Sequence, residues 1–208
     1  CEEEEENDDD IKVILIGEMG TGKTSLINTS IGLQFQEIMK STTTNTISNK
    51  KLQIDGKTYS INLWDTIGQE KFRALTKIFM KEAKVVIFVY DITQKKTFDQ
   101  LTYWFENTKD VITDDAVMGI VGNKSDLYEK EQIKEDEGQK LADEHGYEFT
   151  LTSAKIPKLF SDFLVKMVKL YLNKNKNTPG GDENNNCDKN NNKKQKLKKN
   201  NKDKKKCC

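Results

Sequence analysis

The stretch "IKVILIGEMGTGKTSLINTSI", residues 11–31, decides the fold. Its first seven residues are apolar apart from Lys12 and end on Gly17, the pattern of a short buried strand. "KTSLINTSI" (23–31) then reads as a helix. Between them, Gly17-Glu18-Met19-Gly20-Thr21-Gly22-Lys23-Thr24 fits the phosphate-loop pattern G-x-x-x-x-G-K-[ST]. Each residue type has a chemical reason. Glycines let backbone N–H groups turn inward around phosphates without a Cβ in the way. Lys23 brings a cation to the outer phosphates, and Thr24 offers a hydroxyl to Mg²⁺. The helix N-terminus, which includes Ser25, adds its partial positive charge. A glycine-rich turn with a coincidental Gly-Lys-Thr is the bland competitor, and the strand before and helix after argue against it. The loop calls for a nucleoside triphosphate without saying which.

Outward from this loop, strands and helices alternate. "KLQIDGKTYSINLW" (51–64) reads as two strands joined at Asp55-Gly56, a hairpin signal. "VVIFVYD" (85–91), "VMGIVGN" (117–123) and "YEFTLTS" (147–153) are further strands. Helices are expected in "TFDQLTYWFENTKDVI", with Thr97 as N-cap, and in "EDEGQKLADEH", ending at Gly146. A last one follows in "PKLFSDFLVKMVKLYL", with one apolar face from Leu159 to Leu172. The expected fold is an α/β domain with a six-stranded, mostly parallel sheet flanked by helices.

The ends differ from this body. Residues 1–10 carry eight acids and no base, and residues 173–208 carry twelve Lys against four acids. The formal net charge of zero therefore hides an acidic arm and a basic Asn/Lys-rich tail around a neutral domain at 11–172. Cys1, Cys187, Cys207 and Cys208 are the cysteines. The domain thus has neither disulfide nor Cys metal site, which fits a reducing compartment. The acidic start is unlike a signal peptide, and no apolar run approaches membrane-span length. A Lys/Asn tail without aromatics lacks stacking groups, so nucleic acid is not an expected partner.

Three later motifs select the nucleotide. In "WDTIG" (64–68), Asp65 ends a strand where it can reach Mg²⁺ through water, and the Gly68 N–H can sense a γ-phosphate. In "GNKSDL" (122–127), Asp126 can accept two hydrogen bonds from the guanine N1–H and 2-amino group, a donor pair that adenine lacks at that edge. Asn123 and Lys124 hold the neighbouring loop and the base face. "SAK" (153–155) can add the Ala154 N–H to the guanine O6, with Ser153 and Lys155 beside it. Each motif alone is a weak signal. Together they follow one order at strand C-termini, where open α/β sheets bind ligands.

These residues resemble the Ras-like small GTPases, and most closely the Rab family, on "GEMGTGKT", "WDTIGQEKF", "VYDIT", "GNKSDL", "TSAK" and the final "CC". The resemblance covers roughly 11–172 and continues to the C-terminus. It implies GTP and GDP as substrate and product, with Mg²⁺ as cofactor. It places Phe35 against the guanine. It matches Thr42 to the threonine that binds Mg²⁺ and γ-phosphate, with Thr43 and Thr44 as neighbouring alternatives. It matches Gln69 to the residue that orients the attacking water, and it implies switches at 36–47 and 66–80. Exchange factors, GTPase-activating proteins and effectors would read those switches, on a protein expected to be monomeric. Gln69 also has a physical rationale. Phosphoryl transfer asks for positioning and charge stabilisation rather than a covalent nucleophile, and Gln69 directly follows Gly68. Gln69 and Lys23 are therefore the candidate catalytic residues.

Some positions depart from the family pattern: Ile47 where an aromatic is common, Ile67 for Ala, Glu82 for Gly, and Met19 for Gly or Ser. Two readings of Met19 are open. It either crowds the hydrolytic water, giving a slow or non-hydrolysing GTP-bound membrane scaffold, or it folds away. The terminal Cys207-Cys208, after three lysines, resembles a doubly geranylgeranylated end. That implies a lipid anchor on the cytoplasmic face of a membrane, a cytosolic pool, and a role in vesicle traffic.

Overall fold

The computed structural model describes residues 10–37, 42, 44–66 and 78–176. All lie in the first of two units, 1–178; the second, 179–208, falls outside the described residues. Six strands form one sheet: β1 (Ile11–Ile16), β2 (Thr46–Ile54), β3 (Lys57–Asp65), β4 (Val85–Asp91), β5 (Val117–Asn123) and β6 (Glu148–Leu151). Their order is β2-β3-β1-β4-β5-β6, parallel throughout except for the antiparallel β2–β3 pair. This is the expected α/β architecture.

The strand period of two sorts the core onto two faces. Val13 and Leu15 of β1 and Val85, Ile87 and Val89 of β4 share one buried cluster with Leu26, Phe160, Leu164 and Met167. Those partners come from helices α1 (Lys23–Ser30) and α5 (Pro157–Lys176). Ile14 and Ile16, with Val86, Phe88 and Tyr90, share the other cluster with Leu101, Trp104, Phe105 and Ala142. These pack from α3 (Leu101–Lys109), which follows the short α2 (Lys95–Asp99), and from α4 (Glu135–His145). Both faces of the parallel strands are covered, which is why β1 and β4 read as continuous apolar runs rather than alternating ones.

Several boundaries differ from the sequence expectation. Thr97 is not an N-cap. The helix begins two residues earlier, after Gln94, and Thr97 is buried in its first turn. There its hydroxyl donates to the Gln94 carbonyl (2.7 Å) and accepts from the Asp91 N–H (3.0 Å). β2 starts five residues before Lys51, at Thr46. Its first residues lie mostly in solvent on an edge strand, so no burial pattern marks them. β6 is shorter than 147–153, and α5 runs on to Lys176. The hairpin holds as read. Ile54 pairs with Lys57 across Asp55 (φ +51°) and Gly56 (φ +83°), the two-residue turn whose backbone twist matches the strands. A Cβ on Gly56 would meet nothing within 4 Å. Gly56→Ala is therefore expected to cost only the left-handed backbone penalty, about 1 kcal/mol, read by urea denaturation.

Candidate functional site

The loops at the C-terminal ends of β1, β3, β5 and β6 surround a cavity of about 450 Å³. β1 lies between β3 and β4, and the chain leaves it toward one sheet face while later crossovers cover the other. The cavity therefore sits where the winding reverses. Of the residues singled out above, Met19, Gly20, Gly22, Lys23, Thr24, Ser25, Phe35, Thr42, Asn123, Lys124, Asp126, Ser153, Ala154 and Lys155 line it. Gly17, Thr21 and Asp65 stand buried behind that wall. Gly68, Gln69, Cys207 and Cys208 lie outside the described residues, as do residues 1–9 of the acidic arm at 1–10 and residues 177–208 of the tail expected from 173, whose residues 173–176 belong to α5.

At the phosphate-loop end, Lys23 is 5% exposed. Its ammonium donates to the carbonyls of Gly17 (2.9 Å) and Glu18 (3.0 Å). The Thr21 hydroxyl also bonds the Glu18 carbonyl (2.9 Å), which tightens the loop. Burial lowers the Lys23 pKa to about 8, against the opposing pull of Asp65 and Glu18. A buried cation whose partners among the described residues are carbonyls is poised for an anion.

Beside it three oxygen-bearing side chains converge. Thr24 Oγ1 donates to Asp65 Oδ2 at 2.6 Å and lies 2.7 Å from Thr42 Oγ1. Thr43 is outside the described residues, and Thr44 is exposed. Asp65 is 2% exposed, and its Oδ1 is buried with no hydrogen-bond partner among the described residues. Burial raises the Asp65 pKa, opposed by the Thr24 hydrogen bond and by Lys23. An orphaned carboxylate oxygen beside two hydroxyls is the donor set of a hard divalent cation that keeps several waters, so these residues fit Mg²⁺.

At the far end, Asp126 Oδ1 accepts from Ser153 Oγ (2.6 Å), and Oδ2 pairs with Lys155 Nζ (3.0 Å). Burial pushes this carboxyl up. The Ser153 and Lys155 contacts outweigh that and hold its pKa below the usual value, so it stays an acceptor. Lys155 Nζ also lies 5.7 Å over the Phe35 ring. The two ends are tied together by Asn123, whose Nδ2 donates to the Thr21 carbonyl (2.8 Å) while its Oδ1 accepts from Thr152 Oγ1 (3.3 Å).

Gln36 and Glu37 of the first expected switch, Thr66 at the start of the second and Leu127 of "GNKSDL" also line the cavity, though the sequence analysis singled out none of them as a site residue. Thr66 had a signal: it follows Asp65 directly, and its hydroxyl pins β3 to the Leu15 carbonyl (2.7 Å). The others carry no chemistry that marks them in sequence. Met19 is 52% exposed at the cavity lip.

Comparison with known proteins agrees with this geometry. The model of the Ras family matches residues 12–173. Ras-related protein Rab2BV of Beta vulgaris is 34% identical over 180 residues, covering 81% of this chain and 84% of that protein. Among the described residues no helix is long and apolar enough to cross a membrane. With phosphate loop, carboxylate–hydroxyl cluster and base loops in one cavity, and with both matches spanning the domain, the chain belongs to the Ras family of small GTPases, on its Rab branch.

Proposed function

We propose that this protein is a GTP/GDP switch that binds guanine nucleotide with Mg²⁺, hydrolyses GTP, and is held on the cytoplasmic face of a membrane by a prenylated tail to act in vesicle traffic. The observation that carries the nucleotide reading is the continuity of one cavity from Lys23 and Thr24 to Asp126 and Ala154. In this reading the G domain is 11–172. Lys23 and the N–H groups of 20–25 hold the phosphates. Asp126 accepts from the guanine edge while Phe35 and the Lys124 stem cover the ring. Thr24, Thr42 and Asp65 would hold Mg²⁺, whose contribution there is to neutralise phosphate charge. Gly68 and Gln69 complete the reading from sequence alone, Gln69 orienting the water. Cys207 and Cys208 carry the lipids. Two chains anchor stably where one binds marginally, and the preceding lysines add about 1 kcal/mol each on an anionic surface. Exchange factors, GTPase-activating proteins and effectors are its partners.

Met19 stands half in solvent rather than filling the cavity, which favours working hydrolysis over the stalled-scaffold alternative. Single-turnover GTP hydrolysis by Met19→Ser is expected within roughly twofold of wild type, because a flexible thioether swings clear. A much faster variant would revive the scaffold. The direct test is to denature the purified protein and identify the nucleotide released. GDP is expected. GTP would mean that hydrolysis is stalled, and an adenine nucleotide would overturn the reading.

A further inference from the structure

Asp91 ends β4 next to Asn123 of β5, its register partner. It does not line the nucleotide cavity, yet its side chain is fully buried and completely engaged. Oδ1 accepts from the Thr93 N–H (2.9 Å) and the Thr93 hydroxyl (2.7 Å). Oδ2 accepts from Gln94 Nε2 (3.2 Å) and pairs with Lys124 Nζ at 2.7 Å. Lys124 does line the cavity, and its backbone sits at φ +67°, a left-handed conformation uncommon for a non-glycine residue. The two loops are also stitched by backbone, the Ile92 N–H bonding the Asn123 carbonyl (3.1 Å).

We propose that Asp91 is a positioning residue for nucleotide binding: its buried carboxylate draws the Lys124 ammonium out of the cavity and so lays the lysine stem along the base side of the wall. The pairing does two things. It fixes a flexible side chain whose ordering entropy otherwise falls on the bound state. It also removes a mobile cation from the base end, leaving methylenes to face the flat ring. The inference rests on the guanine-binding reading above and names a residue that the nucleotide motifs leave out.

The test loads the full chain with mant-GDP and Mg²⁺ and follows release into excess GDP. Asp91→Asn keeps an acceptor for Thr93 but loses the charge. It is expected to release mant-GDP ~10-fold faster or more, because losing one partner of a buried charge pair appears in the off-rate. A residue acting through Lys124 has no effect of its own once that ammonium is gone. In a Lys124→Met background the same change is therefore expected to alter release by less than about twofold, the limit of additivity between independent sites. Three release results overturn the proposal: Asp91→Asn releasing at the wild-type rate; an effect that persists in the Lys124→Met background, which would make Asp91 a brace for the Thr93–Gln94 turn only; and no mant-GDP binding by wild type, which overturns the guanine reading with it. A second measurement on wild type does not depend on the variants folding. Under limiting acetic anhydride, Lys124 is expected to label more slowly than the exposed Lys158. Equal labelling means an open pair and overturns the proposal.

Discussion

Lys23→Met is expected to weaken GDP binding by about 10²–10³-fold, the range measured when one partner of a buried charge contact is lost. The side chain is nearly inaccessible, and among the described residues its ammonium donates to two loop carbonyls. It is the loop's one side-chain cation, and in the proposed function it meets the phosphates. Burial already strains that charge, lowering its pKa to about 8. Met keeps the stem volume and removes the strained charge, so the variant is expected to melt no lower than wild type without nucleotide. Isothermal titration with GDP, paired with thermal unfolding, separates the two effects. A variant that binds GDP as wild type does would remove Lys23 from the phosphate site.

The second large effect lies one layer beneath. A Cβ on Gly17 would stand 2.1 Å from the Val89 carbonyl oxygen, where neither backbone has room to move. Gly17 closes β1 and opens the phosphate loop, while Val89 lies in the middle of neighbouring β4. Gly17→Ala must push these strands apart at the point where both faces of the sheet are packed. The expected cost is about 3 kcal/mol or more, the upper range for overpacking a core, read as a lower urea midpoint. Gly56→Ala, free of contacts, is the matched control. A Gly17→Ala loss no larger than that of Gly56→Ala would contradict the packing argument.

Much of the fold was legible because burial and local chemistry agreed. β1, β4 and β5 are covered on both faces, so their apolar runs had no competing reading. Asp55-Gly56 carried the turn chemistry its conformation needs. The misreadings fall where tertiary contacts override local preference. Thr97 is a good N-cap residue by type, but the end of β4 claims its hydroxyl. The first half of β2 is polar apart from Ile47 and mostly exposed, and its pairing with β3 makes it a strand. In the site, motif residues were visible because phosphates and a base edge demand particular atoms at set spacings. Asp91 was not, because its role depends on a neighbour 33 positions away that only the β4–β5 register brings close. Thr24 and Asp65 were legible from their motifs and Thr42 from the family resemblance, although they come from three separate segments that only the fold brings together.

In the proposed function one cavity holds a guanine nucleotide, with Asp126 reading the base. The most direct measurement is competition of GDP and ADP against mant-GDP on the purified protein with Mg²⁺. A buried site built to hydrogen-bond a particular edge rejects an analogue lacking it by on the order of 10⁴-fold. GDP is expected to be preferred on that scale, with the preference collapsing in Asp126→Ala. Equal competition by ADP, or a preference untouched by Asp126→Ala, would contradict it.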